Sequence, residues 1–155
     1  MTTRERMITG TAPSLTVIRA TYGETKCAIW IEFWLVDYVQ WLGIAGKVSE
    51  EQLHNLAQTI MTKYPHYKAT EVMLCFYMLK TGEITDDKGK SVGRQYGTLD
   101  ASTIMMAFHE FNRYRCETIE KVESEERRRK QQVGECITYE RFLELQRTRG
   151  QQQMK

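Results

Sequence analysis

CAIWIEFWLVDYVQWLG, residues 27–43, carries three tryptophans, a tyrosine and a phenylalanine against three polar side chains, Glu32, Asp37 and Gln40. Such a run invites comparison with a membrane span. A span needs roughly 20 consecutive apolar residues, and this one is shorter, with two carboxylates near its middle. The segment therefore reads as a helix over 24–42 of a water-soluble domain, closed by Gly43. At 100° per residue Trp30, Trp34 and Trp41 fall within about 60° of one another, on the half of the wheel that holds Cys27, Ile31, Leu35 and Tyr38. That places the tryptophans in the core. Ile29, Phe33 and Val36 interrupt the polar half, so the helix is apolar nearly all round and is expected to be covered on several sides. If a neighbouring helix does not cover these three, they make an exposed patch of the kind that marks a partner site, self-association included.

Working outward, the other segments also read as helices. PSLTVIRATYG (13–23) has Ser14 as a cap and Gly23 as a stop. SEEQLHNLAQTI (49–60) opens with Ser49 and Gln52 at the spacing of a reciprocal capping box and is stopped before Pro65. KATEVMLCFYMLKTG (68–82) has Thr70 as its expected cap and Gly82 as its stop. Asp100 caps the longest helix, whose apolar residues Ile104, Ala107, Phe108, Phe111, Ile119 and Val122 recur every three to four positions. Beyond Ser124 the pattern turns to charge, with Glu123–Arg127, Glu125–Arg129 and Glu126–Lys130 at the favourable i, i+4 spacing. Gly134 is read as a break before a last short helix. Residues 1–12 read as a flexible tail.

The expected fold is all-α: a compact orthogonal bundle of five to six helices over 13–123, with a charged helical arm and loose C-terminus over 124–155. A small β-hairpin fits near residues 83–98, around Asp87-Lys88-Gly89-Lys90. The core is assigned to Trp30, Trp34, Trp41, Phe76, Phe108 and Phe111. At 155 residues the chain can bury one real core.

Charge narrows the partners. The chain has 22 Lys+Arg and 20 Asp+Glu, a net of +2. Residues 113–155 hold 11 basic and 8 acidic residues, a net of +3, which leaves 11 and 12, a net of −1, for residues 1–112. The basic excess centres on Arg127, Arg128, Arg129 and Lys130, a candidate phosphate contact. Lys88, Lys90 and Arg94 form a second candidate, an anion contact near the helix start at Asp100. Phe142 and Leu145 are candidate anchors for a protein partner.

Catalytic and metal motifs fail on spacing. HEFNR (109–113) starts like a zinc-protease helix but has Arg113 where a second histidine is required. His54 and His66 have no second ligand at helical spacing. The cysteines at 27, 75, 116 and 136 match no metal knuckle or redox pair, so reduced cysteines and a cytoplasmic setting are expected, with no export signal in MTTRERMITGTAPS. Asp37, His109 and Tyr96 are the residues an enzyme reading would use, and no pair of them meets the geometric roles of a site. No catalytic residue, metal or cofactor is expected.

The order PSL…YG, the tryptophan helix, SEEQLHNLAQTI, Tyr64-Pro65, Glu71, Phe76, Lys80-x-Gly82, Tyr96-Gly97, Asp100, Phe111 and Arg115 resembles a family of small helical proteins from bacterial genomes, phages and mobile elements. The resemblance covers residues 13–116, with TDDKGKSVG as an inserted stretch and the charged arm beyond it. It implies a fold and no activity. It points to an accessory factor in DNA replication or handling, or to an adaptor or virion-type assembly protein. The expected partners are a protein, with nucleic acid and a second copy of the chain as further candidates, and no membrane.

Overall fold

A computed structural model describes residues 1–92 and 97–152, with side chains throughout except at 134–138 and 145–152. The chain divides into two compact units, Met1–Thr118 and Ile119–Lys155. The described residues form α1 (Thr3–Thr9), α2 (Leu15–Tyr22), α3 (Glu24–Trp41), a 3-10 turn (Ala45–Lys47), α4 (Glu50–Lys63), α5 (Ala69–Thr81) and α6 (Ala101–Gln152). The fold is all-α, as the sequence indicates. No helix among the described residues is long and apolar enough to cross a membrane.

In the first unit α3 packs on α2, α4 and α5, and α1 packs on α5. The caps follow local chemistry. Ser49 and Gln52 close the capping box: Ser49 N donates to Gln52 Oε1 at 3.0 Å and Gln52 N to Ser49 Oγ at 3.1 Å. The Ser14 hydroxyl accepts from Val17 N, and Asp100 Oδ1 accepts from Ser102 N at 2.9 Å. Gly82 ends α5 in the left-handed region (φ 71°), where a side chain would be strained.

Three readings of helix ends change. Residues 3–9 are a capped helix, not a loose tail. Thr2 and Glu5 form a capping box, Ile8 is fully buried, and the last carbonyls of α1 are taken up by α5. Lys68 Nζ donates to Ile8 O at 2.6 Å and Gly10 O at 2.8 Å, and Thr70 Oγ1 donates to Met7 O at 2.6 Å. A helix this short is not stable by itself, so its signal lies in contacts some 60 residues away. Thr70 is thus not the cap of α5. That position is Lys68, whose backbone N donates to Glu71 Oε2 at 2.7 Å. Lastly, α6 does not break at Gly134; it continues to Gln152, absorbing a glycine that costs about 1 kcal/mol relative to alanine.

Among the described residues, which leave out 93–96, the hairpin expected near 83–98 is an isolated bridge, Thr85 with Ser91, and a turn. Val92 N donates to Ile84 O and Asp86 N to Lys90 O, each at 2.9 Å.

The core of the first unit is an aromatic chain. Phe76, Phe108 and Phe111 are buried as expected, and Tyr38 and Tyr67 join them with no exposed surface. Phe76 meets Phe108 edge-on at 5.6 Å, Tyr67 meets Phe111 at 5.8 Å, and Tyr38 meets Phe76 at 6.3 Å. The Tyr67 hydroxyl donates to Phe108 O at 3.0 Å, which satisfies the one polar atom this ring carries inside. Desolvation pushes the Tyr38 phenol up to about 12 and raises that of Tyr67 further.

The tryptophans do not belong to this core. The buried arc of α3 is Cys27, Ala28, Ile31, Leu35, Tyr38 and Val39. Trp34, Trp41 and Trp30 lie within about 60° beyond its edge at 100° per residue. Trp30 and Trp34 are half-buried, and Trp41 is 57% exposed. Apart from Tyr38 this arc is made of small and aliphatic residues, and an indole at its centre would hold α4 and α5 further from α3.

Candidate interaction surface

Phe33 lies about 180° from the middle of the buried arc of α3 at 100° per residue. It is 63% exposed, and Ile29, one turn earlier, is 55% exposed. The short helix α2 does not cover them. Tyr22, its last residue, is itself exposed, as is Val17. Phe33 meets the ring of Trp34 at 5.4 Å and 86°, and Trp34 meets Trp30 at 6.2 Å and 70°. The Nε1 of Trp34 is buried with no hydrogen-bond partner. Trp41 stacks on Tyr38 at 6.4 Å. The outer side of α3 is thus an aromatic and aliphatic surface joined to the core through Tyr38.

Two charged side chains flank this surface. Lys26 is exposed, and no ion pair to it occurs among the described residues. Asp37 pairs with Lys80 of α5 and keeps 43% of its side chain exposed. On the opposite flank His54 Nδ1 lies 2.5 Å from Glu32 Oε1, joining α4 to α3.

The basic candidates are placed as follows. Lys88 and Lys90 are exposed on the turn after α5, where their backbone N–H groups both donate to Asp86 Oδ1, at 2.9 and 2.8 Å. Arg94 lies outside the described residues, as does Tyr96. Arg127, Arg128, Arg129 and Lys130 are all exposed on α6. Four consecutive residues step through about 300°, so they encircle the helix as a collar. Lys121 pairs with Glu125 at 4.0 Å; among the described residues the three expected glutamate pairs are not closed. Phe142 is 54% exposed, with Tyr139 and Leu143 near it in sequence also exposed. The side chain of Leu145 lies outside the described residues.

Groups with chemical potential are dispersed. No cluster of three or more metal-ligating side chains occurs among the described residues. His109 is exposed. The Cys75 thiol is buried and its pKa is pushed well up by desolvation, which makes it inert as a nucleophile. A cleft of about 140 Å³ lies between the end of α5 and α6, beside Glu83, Arg113 and Tyr114. Another of about 270 Å³ lies between α4 and the start of α6, beside Asn55, Thr59 and Met105. Both are below the roughly 300–1,000 Å³ of small-molecule sites.

No curated protein and no solved structure shows significant similarity to the chain. What does match is the model of a family of unknown function (DUF6633), over residues 47–153. That stretch begins after the tryptophan helix and takes in the charged segment that the resemblance left out. It is more than half of the 155 residues, and the chain belongs to that family.

Proposed function

We propose that this protein is a non-catalytic helical interaction module that docks a protein partner on the outer face of α3. One observation carries the reading: Phe33 and Ile29 stand opposite the core, each more than half exposed. Covering the part of each side chain still exposed yields about 1–2 kcal/mol, so the pair favours a partner, and contiguous apolar surface marks interaction sites. The test compares partner recovery from a native extract by the intact protein and by Phe33→Asp. Loss of a specific partner with the variant supports the reading; equal recovery overturns it.

A second reading rests on the collar at Arg127–Lys130, which is exposed and, among the described residues, closes no ion pair with Glu123, Glu125 or Glu126. It would contact nucleic acid phosphates, in keeping with an accessory role in DNA replication or handling in a phage or mobile-element setting. Neutralising the four residues should weaken duplex binding and flatten its dependence on log salt by up to about 3–4 units of slope. An intact protein without salt-sensitive DNA binding at low ionic strength rules this out. The unpaired cysteines Cys27, Cys75 and Cys116 fit the cytoplasmic placement that either reading uses.

A further inference from the structure

We infer that the occupant of the outer face of α3 is a second copy of this chain, with the two α3 helices packed antiparallel about a two-fold axis. The inference rests on the docking reading above and names its partner. Relative to Phe33, the 100° step places Lys26, Ile29, Asp37 and Gln40 within about 40° on either side. These five residues form one strip. Along it the order is cation, aliphatic, aromatic, anion, with the amide of Gln40 beyond the anion.

That order is self-complementary in one direction only. Run antiparallel with the axis near Ile31, the strip sets Ile29 against the partner subunit's Phe33 and Lys26 against the partner subunit's Asp37. The two pairings share one register to within about one residue, or about 1.5 Å of helix rise. A parallel pair would instead set Lys26 against Lys26 and Asp37 against Asp37, and like charges facing across an interface repel. A two-fold contact uses the same patch on both subunits, which a strip of this symmetry satisfies. Asp37 is bound to Lys80 through one carboxylate oxygen and remains 43% exposed, so it can accept from a second cation. The exposed ring of Trp41, at the end of α3 and about 80° from Phe33, enlarges the apolar area. An aromatic buries about 150–250 Å² when fully covered. Half-exposed residues in this number fall short of the roughly 800 Å² per partner of a standard stable interface. The dimer is therefore reversible and concentration-dependent.

Sedimentation velocity or light scattering of the purified full chain over a dilution series tests this. The expected result is a shift from 18.2 kDa toward twice that mass with rising concentration. Phe33→Asp should remain monomeric with unchanged helix content. Lys26→Asp and Asp37→Lys should each raise the dissociation constant about tenfold or more. An equimolar mixture of the two should recover association, because each mixed interface restores both charge pairs. A chain that stays monomeric to millimolar concentration, dimerisation unaffected by Phe33→Asp, or a mixture no better than its components overturns the inference. If Asp37→Lys fails to fold without its Lys80 pair, Lys26→Asp decides: undiminished association refutes the proposed register. A monomeric chain whose Phe33→Asp variant still loses an extract partner sinks the dimer and leaves the docking reading standing. A monomer whose variant keeps that partner sinks both.

Discussion

Arg115 Nε donates to Glu71 Oε1 at 2.7 Å, joining α6 to α5 inside the first unit, with Glu71 fully buried and the arginine side chain 18% exposed. The other carboxylate oxygen of Glu71 accepts from Lys68 N. The guanidinium also sits 5.7 Å from the centre of the Tyr67 ring. A buried carboxylate is tolerated because both oxygens are engaged, one by a cation and one by the backbone. Removing Arg115 alone strands the charge. We expect Arg115→Ala to lose about 3–5 kcal/mol in urea unfolding, and Glu71→Leu with Arg115→Met to recover most of it. A loss under 1 kcal/mol for the single change would show that the pair contributes little.

Tyr38 is one of the buried groups that set the alkaline limit. It is neutral and buried in the folded protein, with its pKa raised by desolvation from 10.0 to about 12. In the unfolded chain it ionises near the ordinary value. The folded state therefore holds the proton longer. This contribution is intact below about pH 10 and lost as pH rises toward about 12, where it amounts to roughly 2–3 kcal/mol. Tyr67 acts in the same direction. Tyrosinate absorbance and far-ultraviolet dichroism followed together should show the buried phenols ionising as helix is lost. Full ionisation of all eight tyrosines with helix intact would contradict this.

At the acid end, Asp100 is held below the usual carboxylate range, first by the hydrogen bond from Ser102 and then by that from Thr103. Its cap is present above the ordinary aspartate value and fades as pH falls through the depressed one. Asp100→Ala should cost about 1 kcal/mol at neutral pH, and the gap between the two proteins should close in strong acid. A gap independent of pH would remove the cap explanation.

The docking of α1 depends on Lys68 and on the space at Gly10. A Cβ there would stand 2.5 Å from Arg6 O. Gly10→Ala and Lys68→Met should each raise amide exchange across Thr3–Thr9 well before global unfolding, at a cost of about 1–3 kcal/mol. Protection that drops evenly over the whole first unit would instead mean that α1 unfolds only with the rest.

Ile29 and Phe33 provide the control on the surface reading. Ile29→Ser and Phe33→Ser should cost monomer stability no more than about 1.5 kcal/mol, the latter through its edge contact with Trp34, whereas Phe108→Ala should cost about 3–5 kcal/mol. A Phe33→Ser protein that melts like Phe108→Ala would mean the ring is a core residue after all.

Much of this was legible in local chemistry. The reciprocal pair Ser49 and Gln52, the aspartate at 100 and the glycine at 82 act over three or four residues, and so do the helices they bound. Phe76, Phe108 and Phe111 lie on regular apolar stripes, and their burial follows from period alone. The turn around Lys88 and Lys90 was legible as a turn, but its amides are held by Asp86, which spacing does not reveal. Tyr67 was missed because it lies between Pro65 and α5, in a stretch without periodicity.

By itself, the sequence determined that the chain is all-α, where most helices start and stop, and that α3 carries more apolar surface than one side can hide. Only the tertiary structure decided which side is hidden. Helical periodicity defines a face up to rotation, and α3 is apolar nearly all round. The choice fell to how closely α4 and α5 can approach, which favours Ala28, Cys27 and Leu35 over an indole. That same choice left Phe33 and Trp41 exposed; other contacts distant in sequence hold residues 3–9 as a helix through Lys68 and bring Glu71 to Arg115 across 44 residues.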